Sequence, residues 1–379
     1  MTTFYSTSET MRPGACTLPR EYYMSEAVFQ EEIERIFYAR WLCVCREEEI
    51  PEVGDYILQE IGTENLIIVR DSAREIQAYY NVCRHRGTRL CTEAKGRFSK
   101  TIQCPYHAWT YGLDGRLLGA PHMQEVSDFD RADYPLHSVA VACWEGFVFI
   151  NMAQTPEPFE QAYAPFIDKF TPWRLPELRA AREIVYEVNC NWKLLFQNYS
   201  ECYHCPPLHP ELAKWSEYTS GKNDLPEGPF LGGSMQFNDG VDSMTESGRR
   251  CAVPILGEGS EDMDKAYYYT LFPNLFFAPH PDYVMIHYVW PQDITHTRII
   301  CRWLFHPEAE SKPEYNPDDA VAFWDKVNRQ DWHICEQSQQ GIASRAYQPG
   351  PYSDRESLLA AFDQEIRAAL GHEHTSDDG

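Results

Sequence analysis

Apolar positions recur every third or fourth residue over residues 26–41 (EAVFQEEIERIFYARW), where Val28, Phe29, Ile33, Ile36 and Phe37 fall on one face. That spacing predicts an amphipathic helix. The period then shortens. Tyr56–Glu60, Asn65–Arg70 and Ile76–Asn81 read as short strands, separated by the turn signals Gly62-Thr63 and Asp71-Ser72. Further short runs pass Gly112, Gly115 and Gly119 and end in the apolar stretch Gly146–Ile150. Residues 42–153 are therefore predicted to form a small all-β domain. Residues 1–41 are expected to be a helical segment packing on the domain that follows.

A stretch rich in proline and acid, Gln154 to Glu177, marks the crossing into that second domain, residues 154–371. Its strand-like segments Ile184–Val188, Tyr283–Trp290 and Arg298–Phe305 alternate with three predicted helices. The first starts near Asn191 and must stop before Pro206-Pro207. The second runs from Pro317 to Gln340. The third opens at a capping box, Ser353 to Glu356, and ends at Gly371 after Leu358, Leu359, Phe362, Ile366 and Leu370. The fold class is α+β, and residues 372–379 are expected to be a disordered tail.

The 379 residues give ample length for two cores, and 43% hydrophobic and 14% aromatic content places the chain among globular proteins. A net charge of −24 argues against nucleic acid or an anionic membrane as partner. The start, MTTFYSTSETMRPG, carries no basic and apolar leader pattern, and no apolar run nears the roughly 18 residues that span a bilayer. A cytoplasmic location follows as the expectation. In that setting the thirteen cysteines are read as buried hydrophobes, Cys91 and Cys143 among them, or as metal ligands.

Spacing selects two of them. Cys83-Arg84-His85, eighteen intervening residues, then Cys104-Pro105-Tyr106-His107 pair a soft thiolate with an imidazole on each of two loops. A Rieske [2Fe–2S] cluster takes such a ligand set, with two histidines on one iron. A zinc site is the competing reading, although zinc ribbons and fingers keep their cysteines together and their histidines together. Residues 83–116 also hold seven basic residues (Arg84, Arg86, Arg89, Lys95, Arg97, Lys100 and Arg116) against Glu93 and Asp114. The segment therefore carries +5 and the remainder −29. Such a collar suits an acidic electron donor or a neighbouring subunit; solvated residues paired with local acids explain it equally.

The second constellation is NWKLLFQNYSECYHCPPLHPEL, residues 191–212. Glu201 and His204 are three apart on the first helix, and the proline pair lets His209 turn back toward His204. Two histidines and a carboxylate make the facial triad of non-heme iron, which leaves open positions for oxygen. For the carboxylate, Asp331 lies in a stripe of Trp324, Val327, Ile334 and Ser338, where an unpaired acid is costly. Asp325 and Glu336 are rivals on other faces.

C-x-H and C-x₂-H, then N-W-K, E-x₂-H-x₄-H and an Asp on a late helix resemble the α subunits of Rieske non-heme iron oxygenases. The wording N-Y-S-E-C-Y-H-C is similar to members that oxidise choline, carnitine and glycine betaine. Gln197 departs from the acid that many members carry before the Asn198 position. The resemblance implies a catalytic domain of helix-grip type, one [2Fe–2S] cluster and one mononuclear Fe(II) per chain, and a head-to-tail homotrimer. It also implies O₂, a small organic substrate, and a separate NAD(P)H-dependent reductase (flavin and iron–sulfur) or a ferredoxin. Glu201 matches the residue that links a neighbouring subunit's cluster to an iron-ligating histidine, and Asn198 is a candidate support beside the iron.

An aromatic cage for a methylated ammonium could draw on Phe196, Tyr199, Tyr203 and Trp290, with Tyr267, Tyr268 and Phe276 as further candidates. The competing functions are hydroxylation of an aromatic or alicyclic ring and, in another class, a Rieske electron carrier without chemistry of its own. The second metal constellation argues against the carrier.

Overall fold

The computed structural model describes residues 3–257 and 259–372, so all but the first residue of the expected C-terminal tail lies outside the described residues. The chain separates into two units, residues 37–163 and residues 1–36 with 164–379. The division falls after Tyr163 because Phe159 and Tyr163 pack on Phe149, with ring centroids 5.0 and 4.9 Å away, and so remain with the β unit.

Among its described residues the β unit holds a seven-stranded antiparallel sheet. Its order is Leu42–Arg46, Phe147–Asn151, Ser138–Trp144, Ile76–Tyr80, Glu64–Arg70, Asp55–Ile61 and Lys95–Arg97. A three-stranded sheet, Thr101–Gln103, Thr110–Gly112 and Leu117–Gly119, stands beside it. Leu66–Val69 is buried throughout, as a strand covered on both faces must be, whereas Asp55–Ile61 keeps several half-exposed positions. Cys83 and Cys104 sit in the apolar cluster of Tyr56, Ile67, Trp109 and Tyr111 between the two sheets.

The other unit is built on a seven-stranded antiparallel sheet running Arg179–Val188, His296–Phe305, Val284–Asp293, Leu275–Pro279, Lys265–Leu271, Phe230–Gln236 and Lys222–Leu225. The long helix Pro317–Ile342 lies against it. The Tyr186 hydroxyl donates to Asp325 at 2.8 Å, and Trp324 Nε1 donates to the Tyr283 hydroxyl at 2.6 Å. Val284–Trp290 is buried on both faces, and the register shifts at Pro291, where the ladder can spare a donor.

Three local expectations change. The helix predicted over 26–41 is α-helical only at Glu26–Glu32 and continues as a π-helical turn, Ile33–Phe37. The wider turn still buries Ile33, Ile36 and Phe37. The buried stripe of the long helix runs Trp324, Val327, Asn328, Asp331, Cys335 and Gln339, leaving Ile334 and Ser338 exposed. The cysteines are not uniformly buried: Cys16 and Cys143 are exposed, Cys91 is half-buried, and Cys202 and Cys205 form a disulfide.

The N-W-K segment shows how residues 1–36 are held. Asn191 caps the helix Trp192–Tyr199, its side chain accepting from Lys193 N–H at 3.1 Å. Lys193 Nζ meets Glu32 at 2.5 Å with both side chains fully buried, and Trp192 Nε1 donates to the same carboxylate at 2.8 Å. Burial pulls the Lys193 pKa down against the hold of Glu32. Gln197, where an acid was expected, donates its amide to Tyr23 at 2.7 Å and to Asp363 at 2.6 Å. A carboxylate therefore stands beside position 197 after all, supplied by the helix Ser357–Leu370.

Candidate metal centres and the cavity beside them

The first constellation is two turns of the same design. Gly87 N–H donates to Cys83 C=O at 2.9 Å, and Ala108 N–H donates to Cys104 C=O at 3.1 Å. Each turn closes on a residue in the left-handed region, Gly87 at φ 75° and Ala108 at φ 55°. Glycine takes that conformation freely; alanine there is strained backbone held by its surroundings. The two thiols are buried and not in a disulfide, while His85 is exposed and His107 half-exposed, their rings 4.8 Å apart. Trp109 stacks on His85 at 4.9 Å. Burial raises the Cys104 pKa, and neighbouring Cys83 adds to the rise.

Basic residues surround these loops, but much of their charge is answered locally. Arg89 pairs with Glu60, Arg97 with Asp55 and Arg116 with Asp114. Arg84 donates to the Pro135 carbonyl, and Arg86 lies 5.2 Å from the Tyr106 ring.

The second constellation forms where the helix Trp192–Tyr199 has already ended. Glu201 and His204 were expected on one continuous helix; instead they lie in the irregular stretch after Tyr199, joined by their own hydrogen bonds. His204 Nδ1 and Glu201 are 2.5 Å apart, and the Glu201 carboxylate also accepts from the backbone N–H groups of Tyr203 and His204. Pro206-Pro207 do not break a helix. They sit within the first turn of the short helix Cys205–Leu208, where a missing N–H costs nothing, and that turn delivers His209.

His204, His209 and Asp331 each offer an atom within 4.8 Å of the others, a spacing one metal ion can satisfy. His209 Nε2 lies 2.8 Å and His204 Nε2 3.3 Å from Asp331. The Nδ1 atoms face away, His204 toward Glu201 and His209 toward Gln330 Oε1 at 2.8 Å. These acceptors fix each ring with Nε2 directed at the metal position. Asn198 donates to Asp331 at 3.2 Å. Burial alone would raise the Asp331 pKa, but its bonds to His204 and His209 outweigh that and hold it below the ordinary carboxylate value. The rivals are engaged elsewhere, Asp325 with Tyr186 and Arg329 and Glu336 with Asn189.

A cavity of about 130 Å³ opens on this triad, walled by Tyr199, Tyr203, Tyr268 and Trp324. An apolar cavity of similar volume accepts one benzene, so the space suits a single small molecule. Two expected wall residues are absent from its lining. Phe196 is turned into the core between Phe276 and Phe362, with ring centroids at 4.7 and 5.2 Å, and Trp290 is buried near the end of its strand opposite Arg298. Phe276 stands behind the wall, stacked on Tyr199 at 4.3 Å, and Tyr267 donates to Asp262. Nothing in the sequence pattern marks Gln330 as a support for His209, or Gly232-Gly233 as part of the wall. At Gly232 (φ 143°) a Cβ would stand 2.0 Å from the Tyr268 carbonyl oxygen, so no larger residue fits.

Residues 175–372 match the family described as ring hydroxylating alpha subunit (catalytic domain), and residues 40–131 match the Rieske [2Fe-2S] domain. The glycine betaine monooxygenase oxygenase subunit of Chromohalobacter salexigens is 35% identical, the match covering 90% of this chain and 83% of that one. The chain is a Rieske oxygenase α subunit. The carnitine monooxygenase oxygenase subunit of Escherichia coli K12 is 36% identical over 52% of this chain and 53% of its own length. Among solved structures, a quaternary ammonium Rieske monooxygenase superposes with a TM-score of 0.80 at 26% identity, covering 98% of this chain and all of that one.

As a Rieske oxygenase subunit the chain binds a [2Fe–2S] cluster and a mononuclear iron, and its residues fit both. The buried thiols of Cys83 and Cys104, with the imidazoles of His85 and His107 toward solvent, fit the two-cysteine, two-histidine ligand set that such a cluster takes. Among the described residues, the three-ligand group gathered tightly enough for one ion is His204, His209 and Asp331. No helix among the described residues is long and apolar enough to cross a membrane.

Proposed function

We propose that this Rieske oxygenase oxidises an N-methyl group of a small quaternary ammonium compound. The observation that carries the reading is the cavity itself, whose walls include the aromatic rings of Tyr199, Tyr203, Tyr268 and Trp324. Aromatic faces attract an alkylated cation that has no proton to donate. The names of the relatives support the same class. A ring substrate would find the same wall apolar but would make no use of its attraction for a cation.

When bound, the mononuclear iron supplies oxygen activation and the cluster supplies its electrons. The chain's own residues do the rest. His204, His209 and Asp331 hold the metal, with Glu201 and Gln330 fixing the two imidazoles and Asn198 the carboxylate. Tyr199 and Trp324 present the methyl group and exclude water. Hydroxylation of that carbon gives a hemiaminal, which collapses to a tertiary amine and formaldehyde. In a head-to-tail homotrimer Glu201, held on His204 Nδ1, would link that imidazole to the cluster-bearing loop of a neighbouring subunit. The electron source would be an NAD(P)H-dependent reductase or ferredoxin in the cytoplasm.

The test is substrate-dependent oxygen uptake with a surrogate reductase, scored for formaldehyde across methylated ammonium compounds and arenes. Formaldehyde from an ammonium compound is expected. Uptake with arenes alone, yielding ring hydroxylation, would replace this reading by the ring-hydroxylase one.

A further inference from the structure

The cavity is not acidic throughout. Besides the histidines, the cationic side chain in its lining is Arg355, which comes from the turn preceding the helix Ser357–Leu370. Arg355 has one recorded ion-pair partner, Asp354, at 3.9 Å, beyond hydrogen-bonding distance, and that carboxylate is 67% exposed. A second donor lines the same cavity. Asn223 is buried, and its side-chain Nδ2 has no hydrogen-bond partner. A buried N–H left unmatched is costly, and such groups call for an explanation.

The N-terminal segment connects these two residues. Tyr5 exchanges both backbone bonds with Asn223, at 2.9 and 2.8 Å, and Thr10 donates to Ser357 at 3.0 Å, two residues beyond Arg355. Thr7, between them, lines the cavity. Arg355 and Asn223 therefore stand on elements separate from those that carry His204, His209 and Asp331. A guanidinium and an unmatched amide N–H are the donors that a carboxylate accepts.

We propose that Arg355 and Asn223 Nδ2 form a carboxylate subsite in this cavity, so that the substrate is a betaine, bearing a methylated ammonium and a carboxylate on one small molecule. The inference rests on the N-methyl oxidation reading and narrows it. A methylated amino alcohol would place a neutral hydroxyl beside Arg355 and forgo the charge-assisted bond. Such bonds contribute enough to alter binding roughly 10- to 100-fold.

The experiment uses the complete, metal-loaded protein with a surrogate reductase. Wild type, Arg355→Gln, Arg355→Lys and Asn223→Ala are compared on glycine betaine, choline and tetramethylammonium by formaldehyde release. Wild type is expected to favour glycine betaine. Arg355→Gln should lower the glycine betaine to choline ratio of kcat/KM at least tenfold, chiefly through KM for the betaine. Arg355→Lys should retain most of the ratio, and Asn223→Ala should lower it by a smaller factor. Because each enzyme is its own reference, partial loss of folded protein leaves the ratio unaffected. Turnover with an unchanged ratio in Arg355→Gln, or a wild type that prefers choline, overturns the subsite alone. Formaldehyde from none of the three compounds overturns the N-methyl reading and the subsite with it.

Discussion

Replacing Lys193 by methionine tests how the helix Trp192–Tyr199, which leads into the metal-ligand segment, is held in place. Lys193 and Glu32 are both fully buried and 2.5 Å apart, and the partners lie in different segments of the chain. Lys193→Met leaves the Glu32 carboxylate buried, with Trp192 Nε1 still donating to it but no positive charge opposite. Breaking such a pair from one side costs about 3–5 kcal/mol, because the surviving ion cannot recover its hydration. For a unit of this size that corresponds to a fall in Tm of roughly 6–20 °C. The double variant Glu32→Leu with Lys193→Met removes both ions and should regain most of the loss, since an apolar pair of similar volume is often neutral or better. Differential scanning calorimetry on the metal-loaded protein reads all four corners of the cycle. A single variant that melts within about 2 °C of wild type refutes the reasoning, as does a double variant whose loss equals the sum of the singles.

Asp331→Ala should deplete the mononuclear iron and abolish turnover while leaving the cluster absorbance intact; retained activity would show that another carboxylate serves. Glu201→Gln should keep both metals but slow reoxidation of the reduced cluster under single-turnover conditions, and an unchanged rate would remove Glu201 from the electron path. Asp363 offers a pH test away from the metals. Burial raises its pKa from the ordinary 3.8 to about 7, with bonds from Tyr352 and Gln197 opposing the rise. The folded protein thus holds a proton that the unfolded chain has released, and stability falls as pH rises from about 4 to 7. Between pH 5 and 8 wild type should lose about 2–3 kcal/mol relative to Asp363→Asn. Parallel Tm profiles for the two proteins would show that Asp363 ionises normally.

The parts of this molecule readable from its sequence are those whose geometry is local. Cys83, His85, Cys104 and His107 lie on short turns, so their spacing already states the ligand set. Glu201, His204 and His209 were legible for the same reason, although the helix thought to carry them ends at Tyr199. Phase along a helix is harder. Residues three and four beyond Asp331 lie on opposite sides of it at 100° per residue, and the tertiary contacts chose Cys335 and Gln339 over Ile334 and Ser338. The cavity wall was least legible, because it takes single residues from strands far apart in the chain. Aromatic residues are frequent here, and nothing in their order distinguishes Tyr268, which faces the cavity, from Phe196 and Trp290, which face the core.

The most direct test of two metal centres of different kinds in one chain is metal and acid-labile sulfide analysis of the purified protein. It is read together with the electron paramagnetic resonance spectrum after reduction. The account predicts a red-brown protein with a Rieske signal, the two irons and two sulfides of the cluster, and one further, chelatable iron that Asp331→Ala lacks. A colourless protein with zinc at Cys83, His85, Cys104 and His107 would contradict it.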